Sequence, residues 1–408
     1  MKQGYLADYF EGAAVKSLSM VDATPTGSNQ HEVGTSKSMR EEFLGAEKTR
    51  FQATYIWLDD SEQAIVHEGF ATHYDTRENQ PNRGPEWRLY YPANPVTEVM
   101  SAGDSLFLAK RKKEDRLVFI VARPDSTIEK QLLWLFGLQR PQDRFQSQEL
   151  STDDGEIGFA AQIIFDELGI EYEIKGADRL DEIVSRYQGK FPTTREFSIL
   201  ARQTCGEIDP REDPDEAIEQ WLSHEEAMFR RLELQVVRER LKEGFAAEND
   251  VDVEGFLKFS LGVQNRRKSR MGRAFENHLA ALFDAWGIRY QQNAITEHKQ
   301  KPDFLFPDLV TYEGTTAGDR SLMMLAVKST CKDRWRQILP EADKIPAKHL
   351  ATIEPSISES QTDQMQAYKV QLVVPGSVKL SYSAKQQNWL WVMRDFLAEV
   401  RERQRKLN

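Results

Sequence analysis

The residues best suited to chemistry lie between Lys301 and Glu341. Pro302-Asp303 leads into the apolar run Phe304, Leu305, Phe306, and after a polar loop a second run, Met323 to Val327, ends in Lys328. Short apolar runs bounded by turn residues predict buried strands. A carboxylate and an ammonium on neighbouring strand ends can share one pocket. That pair suits hydrolysis of a phosphodiester. Mg²⁺ takes one or two protein carboxylates and leaves its remaining positions to water and phosphate oxygens, while a nearby ammonium orients water or neutralises developing charge. A second acid is wanted, and the position two before the lysine holds Ala326. Glu341 can supply it. Trp335, Ile338, Leu339 and Ala342 recur at helical spacing, which predicts a helix over Asp333 to Ile345 with Glu341 off its apolar stripe. Pro340 interrupts that pattern and marks either a kink or a new helix start.

The strings QNRRKSRMGRAFENHL, AITEHKQKPDFLFP, MLAVKSTCKDRWRQILPEADKI and QLVVP resemble the catalytic domain of the EcoRII-like type IIE restriction endonucleases. These belong to the PD-(D/E)xK nucleases, in the branch whose second acid has moved from the strand to the following helix. The resemblance implies Asp303 and Glu341 as metal ligands, Lys328 as the catalytic lysine, Glu276 as an accessory acid and Mg²⁺ as the cofactor.

The elements that must position these residues belong to a chain of 408 residues, long enough for two or three domains. No apolar run approaches membrane-spanning length and the N-terminus lacks the apolar core of a signal peptide, so a bacterial cytoplasmic protein is expected, with neither a membrane nor a nucleotide cofactor. Cys205 and Cys331 are too few and too far apart for a disulfide framework or a zinc site. Cys331 sits between Lys328 and Lys332, but a small buried thiol is the commoner fate of such a residue. The net charge of −11 does not exclude DNA, because phosphate contact follows local potential. Acidic clusters occupy the middle of the chain, whereas Arg266, Arg267, Lys268, Arg270 and Arg273 form a run without an acid.

Residues 1 to about 140 read as β-rich, with strand-like runs at Thr54–Leu58, Trp87–Tyr91, Ser105–Ala109 and Arg116–Val121 between Gly, Pro, Asn and Asp clusters. Two long polar loops, Asp22 to Gly34 and His73 to Arg88, would project from such a barrel as arms. The pieces TGSNQHEVG and YDTRENQPNRGPEWRL resemble the B3-like pseudobarrel that serves the same family as an effector domain. By that likeness His31, Arg77, Arg83 and Arg88 contact DNA.

Pro141 to Glu156 reads as a linker or domain edge. The short helix AAQIIFDELG and strand-like IEYEIK that follow either finish the first domain or bridge the two. From Asp181 onward LDEIVSRY, TTREFSILARQ and a long stretch containing Trp221, Phe229, Leu232, Val236 and Leu241 predict helices. The basic run then enters an amphipathic helix bearing Phe275, Leu279, Leu282 and Trp286 on one face, a helix entry that could hold phosphates. Base reading falls to Lys332, Asp333, Arg334 and Arg336, whose cations can donate to guanine N7 and O6 and whose carboxylate can accept from cytosine N4 in the major groove. HLATIEPSIS and QLVVP predict further strands, and QQNWLWVMRDFLAEVRERQRKL a closing helix.

The expected architecture is multidomain: a β-rich B3-like DNA-binding domain over 1–150, a bridging segment over 151–180, and an α/β restriction-endonuclease-like domain over 181–408. The expected activity is Mg²⁺-dependent double-strand cleavage of DNA at a CC(W)GG-like site by a homodimer, the N-terminal domain binding effector DNA. The alternatives are a DNA-binding regulator with a decayed nuclease domain and a nuclease for damaged or branched DNA.

Overall fold

Two sheets organise the chain in a computed structural model that describes residues 5–23, 31–60, 64–80, 82–151, 157–170, 177–246 and 251–407, without the side chains of Glu167, Ala177, Lys268, Lys332 and Asp333. Contacts divide the chain into two units, Met1–Glu173 with Pro355–Thr362, and Ile174–Glu354 with Asp363–Asn408.

The first unit is built on eight strands: β1 (Phe10–Ser17), β2 (Glu32–Gly34), β3 (Thr49–Leu58), β4 (Ile65–Asp75), β5 (Trp87–Tyr90), β6 (Ser105–Arg111), β7 (Arg116–Ala122) and β8 (Gln146–Glu149). Their order is β2-β5-β4-β3-β7-β6-β1-β8, all pairs antiparallel except β3 with β7. Phe51, Tyr55, Trp57, Tyr91 and Phe119 fill its core, with Tyr55 stacked on Phe119 at 4.6 Å between centroids. Within the segment read as a linker or domain edge, Gln146–Glu149 is an edge strand paired with β1, Gln146, Ser147 and Gln148 half-buried and Glu149 exposed. Residues 24–30 of the first arm and most of IEYEIK, 171–176, lie outside the described residues.

The second unit carries a mixed five-stranded sheet of β9 (Gln291–Gln292), β10 (Phe304–Phe306), β11 (Met323–Lys328), β12 (Lys348–Thr352) and β13 (Val370–Val373), in the order β13-β12-β11-β10-β9. β11, β12 and β13 are parallel, and β10 runs antiparallel to β11 and β9. β11 reads as an unbroken apolar run because both faces are covered, every residue being buried except Lys328, and β12 is buried throughout although Lys348, His349 and Thr352 are polar.

The helix Thr194–Thr204 starts at a capping box, Thr193 with Glu196, and Pro214–Glu243 starts at an Asp213 cap followed by proline. The next helix corrects the sequence reading. It runs from Val253 to Ala285, capped by Asp252, so the basic run lies in mid-helix and has no helix entry to lend it orphan N–H groups. Phe283 on this helix meets the rings of Phe304 and Phe306 edge-on at 5.0 and 5.2 Å. Truncating a buried ring of this kind costs about 3–5 kcal/mol, so the contact fixes the face the helix turns to the sheet. The closing helix is shorter than expected, Met393–Arg405, since Trp391 bridges to Val373 as strand-like backbone instead.

Candidate active site

Strand register alone brings the first two residues together. With Phe304 opposite Leu325 in an antiparallel pair, the residue before β10 stands beside the end of β11. Asp303 Oδ2 accepts the Val327 N–H at 2.6 Å and lies 3.5 Å from Lys328 Nζ. Both side chains are about one-fifth exposed, enough for a substrate to reach them. Ala326 shares the face of Lys328 by the two-residue period of a strand, and it brings no acid to that face.

Glu341 reaches the same place by a route the periodicity did not foresee. Residues Lys332–Ile338 form a 3-10 helix that ends at Leu339, and the chain then turns sharply, with Ala342 in the left-handed region at φ 48°. The predicted helix over Asp333 to Ile345 is therefore corrected. Pro340 has no N–H to continue it, and the turn is closed instead by Glu341 N–H to Ile338 O at 3.0 Å and Ala342 N–H to Thr296 Oγ1 at 3.3 Å. The stripe of Trp335, Ile338 and Ala342 is nonetheless fully buried. Glu341 is buried with them, its Oε2 without a hydrogen-bond partner among the described residues.

Electrostatics tie Glu341 and Glu276 to the pair. Burial, then the Asp303 carboxylate, pushes the Glu341 carboxyl up to about 7, against the pull of Lys328 and Lys348. Burial and Asp303 likewise push Glu276 up to about 7, against Lys328 and Arg273. Glu276 sits two helical turns before Phe283, so the ring packing that turns Phe283 to the sheet turns Glu276 the same way. The Asp303 carboxylate and the Lys328 ammonium thus both act on the two buried glutamates.

The residues fit a hard divalent cation. An orphaned buried carboxylate oxygen in a folded chain calls for an explanation, and an absent ion is one. Among the described residues no three His, Cys, Asp or Glu side chains stand ready together to hold a metal ion. Mg²⁺ needs only one or two protein carboxylates.

Elsewhere the candidate residues stand differently. Arg334 and Arg336 are exposed on the Lys332–Ile338 turn, but Arg334 bonds to Thr330 and Arg336 donates to Gln364 at 2.6 Å. The side chains of Lys332 and Asp333 lie outside the described residues. In the basic run Arg266 is exposed over the Phe191 ring, Arg267 pairs with Glu233 at 2.7 Å, and Arg270 is buried against Glu225 and Glu226. The Lys268 side chain is likewise outside the described part. Arg270 thus holds helices together, which composition could not reveal. In the first unit Arg77 pairs with Glu86, Arg88 with Glu86 and Glu32, and His31 packs on Tyr91, while Arg83 is exposed. Cys331 is fully buried and burial raises its thiol well above the usual range, which removes it as a nucleophile.

Residues 229–397, which contain Glu276, Asp303, Lys328 and Glu341, match the family model described as EcoRII C terminal. Type II restriction enzyme EcoRII of Escherichia coli is 41% identical over 189 residues, 46% of this chain and 46% of that protein. The match thus spans about half the length of that relative. Type II restriction enzyme SsoII of Shigella sonnei is 26% identical over 233 residues, 52% of this chain and 70% of its own. Among solved structures, metal-depleted Ecl18kI in complex with uncleaved DNA aligns at TM-score 0.43 and 20% identity, over 57% of this chain and 86% of that one. Sequence reasoning missed two residues that bond to the backbone of the Glu341 turn, Lys348 and Thr296. A lysine opening an apolar strand is ordinarily solvated, and nothing local in the sequence distinguishes this one.

Proposed function

We propose that the chain is a type II restriction endonuclease of the IIE kind, making Mg²⁺-dependent, sequence-specific double-strand cuts in DNA in the bacterial cytoplasm. The observation that carries this reading is the Asp303–Lys328 pair at 3.5 Å, electrostatically coupled to the buried Glu341 and Glu276, with one Glu341 oxygen unpaired among the described residues, inside the stretch that matches the EcoRII C-terminal model. Asp303 and Glu341 would hold the metal. When bound, the ion supplies Lewis-acid polarisation of the phosphoryl group and an activated water. Lys328 Nζ orients that water and neutralises charge as it develops on the phosphoryl oxygens. Glu276, pushed up to about 7, is poised to hold or release a proton near neutrality.

Base reading at a CC(W)GG-like site falls to the segment from Lys332 to Arg336, and phosphates to the exposed members of the basic run, above all Arg266. Two such domains paired about a two-fold axis would each cut one strand of a near-palindromic site. The first unit, read as a B3-like domain, would bind a second DNA copy through His31, Arg77, Arg83 and Arg88. The test is incubation of the protein and Mg²⁺ with mapped DNA carrying CC(W)GG-like sites, the ends then sequenced. Discrete fragments from the parent and none from Lys328→Ala are expected. Absence of fragments across varied sites would refute the reading, and tight binding without scission would favour the regulator.

A further inference from the structure

We propose that Lys348 is the positioning residue that aims Glu341, an inference that rests on the nuclease reading of the site. The turn bearing Glu341 is held only in part by local backbone bonds, Glu341 N–H to Ile338 O and Ile345 N–H to Ala342 O. Pro340 contributes no N–H, and Ala342 occupies the left-handed region, which a side chain other than glycine adopts only at a cost. The Ala342 carbonyl accepts the Ile345 N–H at 2.9 Å, while the Glu341 carbonyl takes a side-chain donor. Lys348 Nζ donates to the Glu341 carbonyl and gives the Ala342 carbonyl a second donor at 2.8 Å.

Lys348 is 5% exposed, so a direct role on DNA phosphates is ruled out by access. An ammonium taken out of water must be compensated, and here backbone carbonyls compensate it. Lys348 is also the first residue of β12, whose next residue, His349, pairs with Leu325 on β11. The strand that carries Lys328 therefore sets the position of Lys348, and Lys348 sets that of the Glu341 backbone. From the other side, Thr296 Oγ1 accepts the Ala342 N–H. The second acid, displaced from β11 onto an irregular turn, is thereby tied back to β11 by a single buried side chain. Supporting groups of this kind typically change metal affinity about 10–100-fold when removed.

The test uses the full chain with K348M, K348R and E341Q. Hydrogen exchange of peptides covering 338–345 is compared with peptides covering β10 and β11, and Mn²⁺ affinity without DNA is read by electron paramagnetic resonance. K348M is expected to exchange faster at 338–345 with β10 and β11 unchanged. Its Mn²⁺ affinity is expected to fall at least about tenfold, near that of E341Q, and K348R to recover part of the loss. Parental exchange at 338–345, or faster exchange with parental Mn²⁺ affinity, would overturn the proposal. Should K348M not fold, K348Q, which keeps one donor group, carries the same comparison. The nuclease reading is judged separately by whether the parent cuts DNA, and the exchange result decides the role of Lys348 even if it does not.

Discussion

The two candidate DNA-facing regions differ in what their charges already do. In the second unit, Glu341 and Glu276 are half-neutral near pH 7 and one Glu341 oxygen has no partner among the described residues, so the site holds binding capacity that the fold leaves unused. In the arms of the first unit, Arg77 and Arg88 are engaged by Glu86 and Glu32, and the Arg88–Glu32 pair spans 56 residues of chain. The acidic site leaves a carboxylate oxygen open to a cation, while Arg77 and Arg88 must give up internal partners before they can grip phosphate. The first is pre-organised and the second is conditional.

Lys328→Ala breaks the contrast most severely. Cleavage should fall by at least about 10²-fold, measured as single-turnover rate on a saturating specific duplex, while metal-free DNA binding changes little. A parental rate would mean that the pocket is not the reaction centre.

Glu341→Gln sharpens it through opposite effects on function and stability. Metal-dependent cleavage should collapse, yet the metal-free protein should become more stable. The sign follows from linkage: a folded pKa of about 7 lies above the ordinary 4.5, so the fold binds the proton more tightly and loses stability as pH rises from about 4.5 to 7. Above that window the ionised carboxylate costs at most about 3 kcal/mol, which the neutral amide removes. Urea melts of parent and variant at pH 8 and pH 5 check this, with the gap expected at pH 8 and small at pH 5. For the same reason cleavage should rise with pH between about 6 and 8 at subsaturating Mg²⁺, as Glu341 and Glu276 become ionised ligands and bases.

Glu86→Gln carries the smallest effect. Releasing Arg77, and loosening Arg88, which keeps Glu32, should tighten metal-free DNA binding by no more than about fivefold, since exposed ion pairs are weak, and steepen its salt dependence. No change in either quantity would remove these arginines from the DNA interface.

The sequence disclosed the parts of this arrangement that are local. The apolar runs at Phe304–Phe306 and Met323–Lys328 are strands, and the burial of Trp335, Ile338 and Ala342 was legible at helical spacing. The backbone beneath that stripe was not legible, because a lysine ten residues past Ile338 and a threonine before β10 close the turn. The basic run read as a helix entry because Asp252, the actual cap, precedes a weakly patterned stretch. Glu276 followed from family likeness alone, its orientation depending on the contact of Phe283 with a strand about twenty residues onward. Arg270 looked free because its acidic partners lie on another helix.

The central claim, that Asp303 and Glu341 share one divalent ion beside Lys328, is tested most directly by a crystal structure of the protein with uncleaved specific DNA and Ca²⁺ or Mn²⁺. The account predicts anomalous density bridging the two carboxylates and a phosphate oxygen of the cut strand. Metal density elsewhere, with Glu341 turned away from Asp303, would contradict it.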